Sequence, residues 1–207
     1  KIMIKLGLDF DNTLIDYDEV FYKIAFQKGL IPKSIDRNKA SVRTYLVNKN
    51  REEEFILLQG EVYGSKILEA KQSEGMLETL NLLKNNGVEL IIVSHKTKYP
   101  YAGERYNLHN AAKDWLVKNK FFDIDYLAMD EKNVFFEVTK EKKIDRIHQL
   151  KINFFIDDLE SILQLISDDV QKILYNPNNI KPKLKGIKEL NKWRELPYLI
   201  FKKNTWI

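Results

Sequence analysis

Three short apolar segments constrain the fold of this 207-residue chain more than any other feature. They read IMIKLGL (residues 2–8), VELIIVS (88–94) and NFFIDD (153–158). Segments of this length and composition are typical of strands that are covered on both faces. Helical patterns separate the three segments along the chain. This order predicts an α/β fold in which a parallel sheet carries helices on both of its faces.

Periodicity and turn residues predict further strands and helices in the rest of the chain. Additional strands are predicted at residues 123–129, 133–138 and 171–176. The loop at residues 95–107 contains Pro and Gly as breakers. The predicted helices cover residues 19–30, 51–70 with an interruption near Gly60 or Gly64, 76–87, 110–119, 140–151 after an N-cap at Thr139, 159–166 and roughly Lys185–Arg194.

Polar side chains follow each of the three apolar strands. Asp9 and Asp11 come after the first strand, Ser94 ends the second, and Asp157 and Asp158 end the third. Because ligands of such sheets bind beyond the carboxyl ends of the strands, we expect these side chains to form one site. Four carboxylates repel one another unless a cation lies between them. Oxygen ligands of this kind predict Mg²⁺, the usual partner of phosphate sites.

A carboxylate site with a divalent cation suits phosphate ester chemistry. The metal neutralises and polarises an incoming phosphate. One carboxylate can then act as nucleophile and form an aspartyl-phosphate. A second, protonated carboxyl can donate a proton to the leaving oxygen and later activate water.

In the protein family that these motifs resemble, a lysine near the start of a helix completes the site, and helix geometry restricts the choice within the helix at 140–151. At 100° per residue, Ile144 and Ile147 define the inner face of this helix. Lys140 and Lys143 lie close to the centre of that face, whereas Lys142 points away. Lys140 is in the first turn, nearest to the strand ends, so it is favoured over Lys143.

This set of motifs resembles the haloacid dehalogenase (HAD) superfamily over nearly the whole chain. The first motif, an apolar strand followed by DxDxT, is LGLDFDNTL here. The second, a strand ending in Ser or Thr, is LIIVSHKT, and the fourth, a strand with two acids, is FFIDDLESIL. The third is the helical lysine. The resemblance implies a Rossmann-like core at residues 1–14 and 74–207, with a small α-helical cap at 15–73.

The resemblance also implies a role for each matching residue. Asp9 would be the nucleophile and Asp11 the general acid and base. Thr13 would support the turn, while Ser94 and the lysine, Lys140 or Lys143, would bind the phosphoryl group. The implied ligands of Mg²⁺ are Asp9, Asp11 through its backbone carbonyl, Asp157 and Asp158.

The second acid of the first motif, Asp11, resembles the phosphatase branch, because the dehalogenase branch lacks it. The resemblance therefore implies a Mg²⁺-dependent phosphatase that cleaves a phosphomonoester of a small metabolite, such as a sugar phosphate or a nucleotide. Further contacts with the phosphate or the rest of the substrate are expected from Asn12, Thr13, His95, Lys96 and Arg105.

The amino-acid composition limits the classes of protein to which the chain can belong. The chain has no cysteine, which excludes disulfides and thiolate sites and is compatible with a cytoplasmic location. It has no apolar run long enough for a membrane span. Residues 176–207 hold eight Lys or Arg and two acids. This basic segment permits a nucleic-acid ligand without favouring it, and it leaves two alternatives: a nucleic-acid end phosphatase, or a non-catalytic binding protein on the same scaffold.

Overall fold

The computed structural model describes residues 3–201. Its contacts divide the chain into two compact units. The first unit contains residues 3–14, 72–95 and 120–201, and the second contains Ile15–Lys71 and Lys96–Asn119. The predicted boundary of the cap, 15–73, includes only the earlier of the two segments in the second unit.

The first unit contains a six-stranded sheet in which every neighbouring pair of strands is parallel. The strands are β1 (Ile4–Leu8), β4 (Val88–His95), β5 (Val134–Glu137), β6 (Phe154–Asp157), β7 (Gln171–Tyr175) and β8 (Lys188–Leu190). The order across the sheet is β5-β4-β1-β6-β7-β8. β1 lies between β4 and β6, so the carboxyl ends of the three strands with acidic or hydroxyl residues are adjacent.

The helices of the first unit cover the sheet through apolar faces. α6 illustrates this, because Ile147 is fully buried in a cluster with Ile91, Phe155 and Leu163. Burial of such side chains contributes about 1.5–3 kcal/mol each. These helices are α4 (Met76–Asn85), α6 (Lys140–Gln149), α7 (Glu160–Leu163) and α8 (Leu196–Phe201), and short 3₁₀ turns occur at Glu131–Asn133 and Trp193–Glu195.

Gly7 shows how tightly β1 is packed. A Cβ atom at this position would lie 2.4 Å from the Phe155 ring and 2.8 Å from Ile152. The absence of a side chain therefore lets the neighbouring core approach the strand that leads into Asp9.

The second unit is helical, and residues 96–119 are part of it. A Cβ atom on Gly64 would lie 2.5 Å from the ring of Tyr106, and the indole of Trp115 donates to the carbonyl of Ala70 at 2.9 Å. The loop after β4 and the helix that follows therefore pack within this unit. Its helices are α1 (Asp18–Gln27), α2 (Lys39–Asn48), α3 (Glu52–Tyr63) and α5 (Leu108–Lys118), with a 3₁₀ turn at Ile67–Glu69. Two short strands, β2 (Ile15–Asp16) and β3 (Lys71–Gln72), form a separate two-stranded sheet.

The predicted fold class is confirmed, and so are most of the predicted elements. The helix predicted at 51–70 is interrupted after Tyr63, next to Gly64 as expected. α2 was not predicted separately. Its signals were an N-cap at Asn38, whose side chain accepts from the Ser41 amide at 2.7 Å, and the buried pair Val42 and Leu46.

Two predicted elements are wrong. The strand expected at 123–129 is a series of turns, because the Asp123 side chain accepts from the Asp125 amide and its carbonyl accepts from Tyr126 and Ala128. The helix expected at Lys185–Arg194 is replaced by β8 and a 3₁₀ turn. Gly186 there has a φ of 73°, and pairing with β7 outweighs helix propensity.

The helices within residues 3–201 are too short or too polar for any of them to cross a lipid bilayer.

Candidate active site

The candidate site lies at the carboxyl ends of β1, β4 and β6 in the first unit. Asp9 directly follows β1, and its amide donates to the Ile156 carbonyl of β6 at 2.9 Å. Ser94 is the next-to-last residue of β4, and Asp157 is the last residue of β6. The parallel register therefore brings together the side chains that the sequence placed at three strand ends.

Asp9 is buried and receives hydrogen bonds on both of its carboxylate oxygens. Ser94 Oγ lies 3.0 Å from Asp9 Oδ1, and Lys143 Nζ lies 2.6 Å from the same oxygen. Thr13 Oγ1 donates to Asp9 Oδ2 at 3.3 Å. These donors come from a strand, a helix and a turn, so the carboxylate is fixed in one orientation by the folded structure.

Lys143 is the lysine of α6 (Lys140–Gln149) that contacts the carboxylates. Its side chain is 2% exposed, and its Nζ lies 2.6 Å from Asp157 Oδ2 as well as from Asp9. Lys140 is exposed at the first position of α6. Proximity to the helix start favoured Lys140, whereas the contacts in the structure belong to Lys143, the fourth residue of α6.

The start of α6 is set by Thr139, as expected. Its side chain accepts from the Lys142 amide at 3.2 Å, which fixes where the first turn begins. The position of Lys143 on the buried face follows from that start, because each residue advances the helix by 100°.

Two buried carboxylates share one buried ammonium group, and their pKa values reflect this. Burial and the charge of Asp9 together raise the pKa of Asp157 to about 7, against the opposing effect of Lys143. Burial lowers the pKa of Lys143, but the charges of Asp9 and Asp157 outweigh burial and hold it above its ordinary value. Lys143 therefore stays charged beside the two carboxyl groups.

Asp9, Asp157 and Asp158 form a group that could hold a metal ion. Each offers a carboxylate oxygen, and these oxygens all lie within 4.8 Å of one another. Asp157 also accepts from the Leu159 amide at 2.9 Å, which orients its carboxylate. Three hard oxygen ligands this close together suit Mg²⁺.

The turn after Asp9 holds the other residues of the first motif. Phe10 is fully buried and packs edge-on against Phe136, with ring centroids 5.6 Å apart. Asp11 is half-buried, and Asn12 has a φ of 58°. Asparagine tolerates this left-handed conformation better than most residues, so Asn12 suits the turn.

Ser73 is a residue of this region that the sequence did not indicate. It is buried; its hydroxyl donates to the Thr13 carbonyl, and its amide donates to the Leu14 carbonyl at 3.0 Å. Ser73 thereby anchors the end of the turn that contains Asp11. A single serine before a helix carries no signal for this role in one sequence.

The three expected substrate contacts after β4 lie in different surroundings. His95 is half-buried in the first unit, and burial together with the charge of Lys143 lowers its pKa. Lys96 is buried in the second unit, with its Nζ 4.7 Å from the ring centroid of Tyr63. Arg105 is exposed in the second unit, and its guanidinium lies 4.2 Å from the ring centroid of Tyr99.

Comparison with known proteins gives one curated relative and several solved structures. No protein-family model matches the chain. A protein of Oceanobacillus iheyensis named "Putative nucleotidase" is 22% identical over 198 residues, which cover 93% of this chain and 97% of that protein.

Solved structures of HAD-superfamily hydrolases match the whole fold. One from Geobacter sulfurreducens has a TM-score of 0.59 at 15% identity and 96% coverage of both chains. The magnesium-bound HAD-hydrolase YfnB of Bacillus subtilis has a TM-score of 0.54 at 17% identity, covering 98% of this chain and all of that one. A dehalogenase has a TM-score of 0.60 at 12% identity and 98% coverage of both chains. The chain therefore has the fold of the HAD superfamily, as the resemblance implied.

Proposed function

We propose that this chain is a Mg²⁺-dependent HAD hydrolase that cleaves a phosphomonoester through an aspartyl-phosphate on Asp9. The observation that supports this most directly is the environment of Asp9. The carboxylate is buried, hydrogen-bonded to Ser94, Thr13 and Lys143, and next to two further acids. A carboxylate held in this way is oriented for attack before substrate arrives.

Magnesium fits the donor set of the site. Asp9, Asp157 and Asp158 would hold the ion with carboxylate oxygens, and Asp11 would add its backbone carbonyl, as the resemblance implies. When bound, Mg²⁺ supplies positive charge that neutralises the phosphate and the acidic cluster.

In the first step, the Asp9 carboxylate attacks the phosphorus atom and the bond from phosphorus to the ester oxygen breaks. Asp11 donates its proton to that leaving oxygen, so the alcohol departs neutral. The phosphoryl group is then bonded to Asp9 as a mixed anhydride.

In the second step, a water molecule attacks the phosphorus atom and gives a proton to the Asp11 carboxylate. The bond between phosphorus and Asp9 breaks, which releases inorganic phosphate and restores both acids. Ser94 Oγ and Lys143 Nζ contact Asp9 directly, and we expect them to donate to the phosphoryl oxygens in both steps.

The substrate class that we propose is a small phosphorylated metabolite, with a nucleotide or a sugar phosphate as the first candidates. Two observations support this class. The relative from Oceanobacillus iheyensis carries a nucleotidase name, and Asp11 supplies the second acid that a dehalogenase would lack. His95, Lys96 and Arg105 stay proposals for contacts with the rest of the substrate.

The test is release of inorganic phosphate from a panel of nucleotides and sugar phosphates, with Mg²⁺ and with EDTA. We expect release from one group of substrates in Mg²⁺ only, and at least a hundredfold loss in Asp9→Asn. The matched control is Asp145→Asn, an exposed acid on α6, which should retain the wild-type rate. Metal-independent release, or turnover retained in Asp9→Asn, would refute the proposal.

A further inference from the structure

The turn that follows Asp9 is held by a residue from a distant part of the sequence. Within the turn, the Phe10 carbonyl accepts from the amides of Thr13 and Leu14, at 3.4 and 3.0 Å. From outside the turn, the Ser73 hydroxyl donates to the Thr13 carbonyl, and the Ser73 amide donates to the Leu14 carbonyl at 3.0 Å. Ser73 therefore fixes two successive carbonyl groups at the end of the turn.

The conformation of the turn explains why it needs this support. Asn12 has a φ of 58°, in the left-handed region. A residue other than glycine adopts this conformation at a cost in free energy, and it persists where the surrounding structure holds it. The hydrogen bond from the Thr13 amide within the turn is long, at 3.4 Å. The two hydrogen bonds from Ser73 add the support that the turn lacks internally.

Thr13 connects Ser73 to the nucleophile. Thr13 and Ser73 are both buried, and Thr13 Oγ1 donates to Asp9 Oδ2 at 3.3 Å. Most hydrogen bonds between a hydroxyl and an oxygen are about 2.5–3.0 Å long, so a small shift of Thr13 is enough to break this one. The bond from Ser73 to the Thr13 carbonyl limits such a shift, because it fixes the backbone that carries the Thr13 hydroxyl.

We propose that Ser73 is a positioning residue for the Asp9 nucleophile and acts through Thr13. The inference rests on the proposed function, because it concerns the attack by Asp9. Ser94 and Lys143 both contact Oδ1 of Asp9, whereas Thr13 contacts Oδ2. Without the Ser73 hydroxyl, Thr13 moves away and the carboxylate is oriented through one oxygen instead of two.

The first variant is Ser73→Ala, which removes the hydroxyl and keeps the hydrogen bond from the backbone amide to Leu14. A carboxylate that is oriented less well lowers the rate of attack more than it lowers substrate binding. We expect kcat to fall about tenfold and KM to change less than about twofold, because misplacement of a reacting group acts on the chemical step. Formation of the aspartyl-phosphate in a single turnover should slow by the same factor as kcat.

The matched control is Thr79→Val, which also removes a buried hydroxyl from the first unit. Thr79 lies on α4 rather than against the turn after Asp9. The control should retain wild-type kcat and KM. Urea unfolding of both variants shows whether they lose similar stability, so that a change in kcat can be separated from a change in folding.

A double variant tests whether Ser73 acts through Thr13. Thr13→Val removes the hydrogen bond to Asp9 Oδ2 and should itself lower kcat. In that background the Ser73 hydroxyl has no hydrogen bond left to protect, so adding Ser73→Ala should lower kcat less than about twofold further. Two residues that act in one chain of contacts show this lack of additivity.

The outcomes distinguish this inference from the proposed reaction. Wild-type kcat in Ser73→Ala, an equal fall in Thr79→Val, or a full tenfold further fall in the double variant would overturn the positioning role of Ser73. A fall in kcat/KM that comes from KM alone would overturn it as well. If the wild-type protein releases no phosphate, or if Asp9→Asn retains turnover, the proposed reaction itself is refuted, and the role of Ser73 with it.

Discussion

Replacing Lys143 by methionine removes the positive charge that lies between Asp9 and Asp157. The side chain keeps a similar length, but two buried carboxylates lose a partner at 2.6 Å each. Removing one member of a buried ion pair costs about 3–5 kcal/mol, because the remaining charge is left without compensation. We therefore expect Lys143→Met to lower the stability of the metal-free protein by that amount.

The assay is urea or thermal unfolding in EDTA. For a chain of this size each kcal/mol lowers Tm by about 2–4 °C, so the expected shift is roughly 6–20 °C. Lys142→Met is the matched control. Lys142 is exposed on the same helix, so the control should change stability by less than about 0.5 kcal/mol.

A double variant separates electrostatics from packing. Adding Asp157→Asn to Lys143→Met removes one of the two uncompensated charges, so the double variant should be more stable than Lys143→Met alone. Magnesium should also stabilise Lys143→Met more than it stabilises the wild-type protein, because the cation replaces the lost charge. Equal stability of wild type and Lys143→Met in EDTA would refute this reasoning, as would a double variant less stable than the single one.

Three further substitutions test local features of the structure. Thr139→Ala removes the N-cap of α6 and should lower the free energy of unfolding in urea by about 1 kcal/mol. Thr139→Ser should retain wild-type stability, and an equal loss of stability in both variants would contradict the role of Thr139 as the cap. Gly7→Val forces side-chain atoms into the space of Phe155 and should cost about 1–3 kcal/mol or more, so an unchanged unfolding midpoint would exclude the close packing. Glu160→Ala removes two hydrogen bonds from the β7–β8 connection, and hydrogen exchange should accelerate at the Lys183 and Leu184 amides but not at the Ile173 amide within β7.

The fold could be predicted from the sequence because its strands are strongly apolar and their ends are polar. In a parallel sheet the carboxyl ends of neighbouring strands meet, so Asp9, Ser94 and Asp157 were expected together without any contact information. β8 and the turns at 123–129 could not be predicted in the same way. At Lys188–Leu190, pairing with β7 outweighs the helix propensity of the sequence. At Asp123, hydrogen bonds from the backbone to the side chain favour turns over a strand.

The choice between the two lysines of α6 shows a limit of helix geometry. Lys140 and Lys143 lie on the same face of the helix, and only their height along the axis separates them. That height depends on how the helix packs against the sheet, and the periodicity of the sequence gives no information about this packing. The anchoring role of Ser73 could not be predicted either, because Ser73 bonds to the backbone carbonyls of Thr13 and Leu14 and backbone contacts leave no pattern in the sequence.

The most direct test of the proposed reaction is detection of the aspartyl-phosphate itself. The protein is mixed with Mg²⁺ and an intact substrate that it hydrolyses in the panel, and the reaction is quenched in acid within one turnover. The quenched protein is then treated with borohydride, which reduces an aspartyl-phosphate to homoserine. We expect peptide mass spectrometry to find homoserine at position 9 in the wild-type protein and not in samples quenched without substrate. Steady phosphate release with no modification at Asp9, or with modification at another acid, would contradict the assignment of Asp9 as the nucleophile.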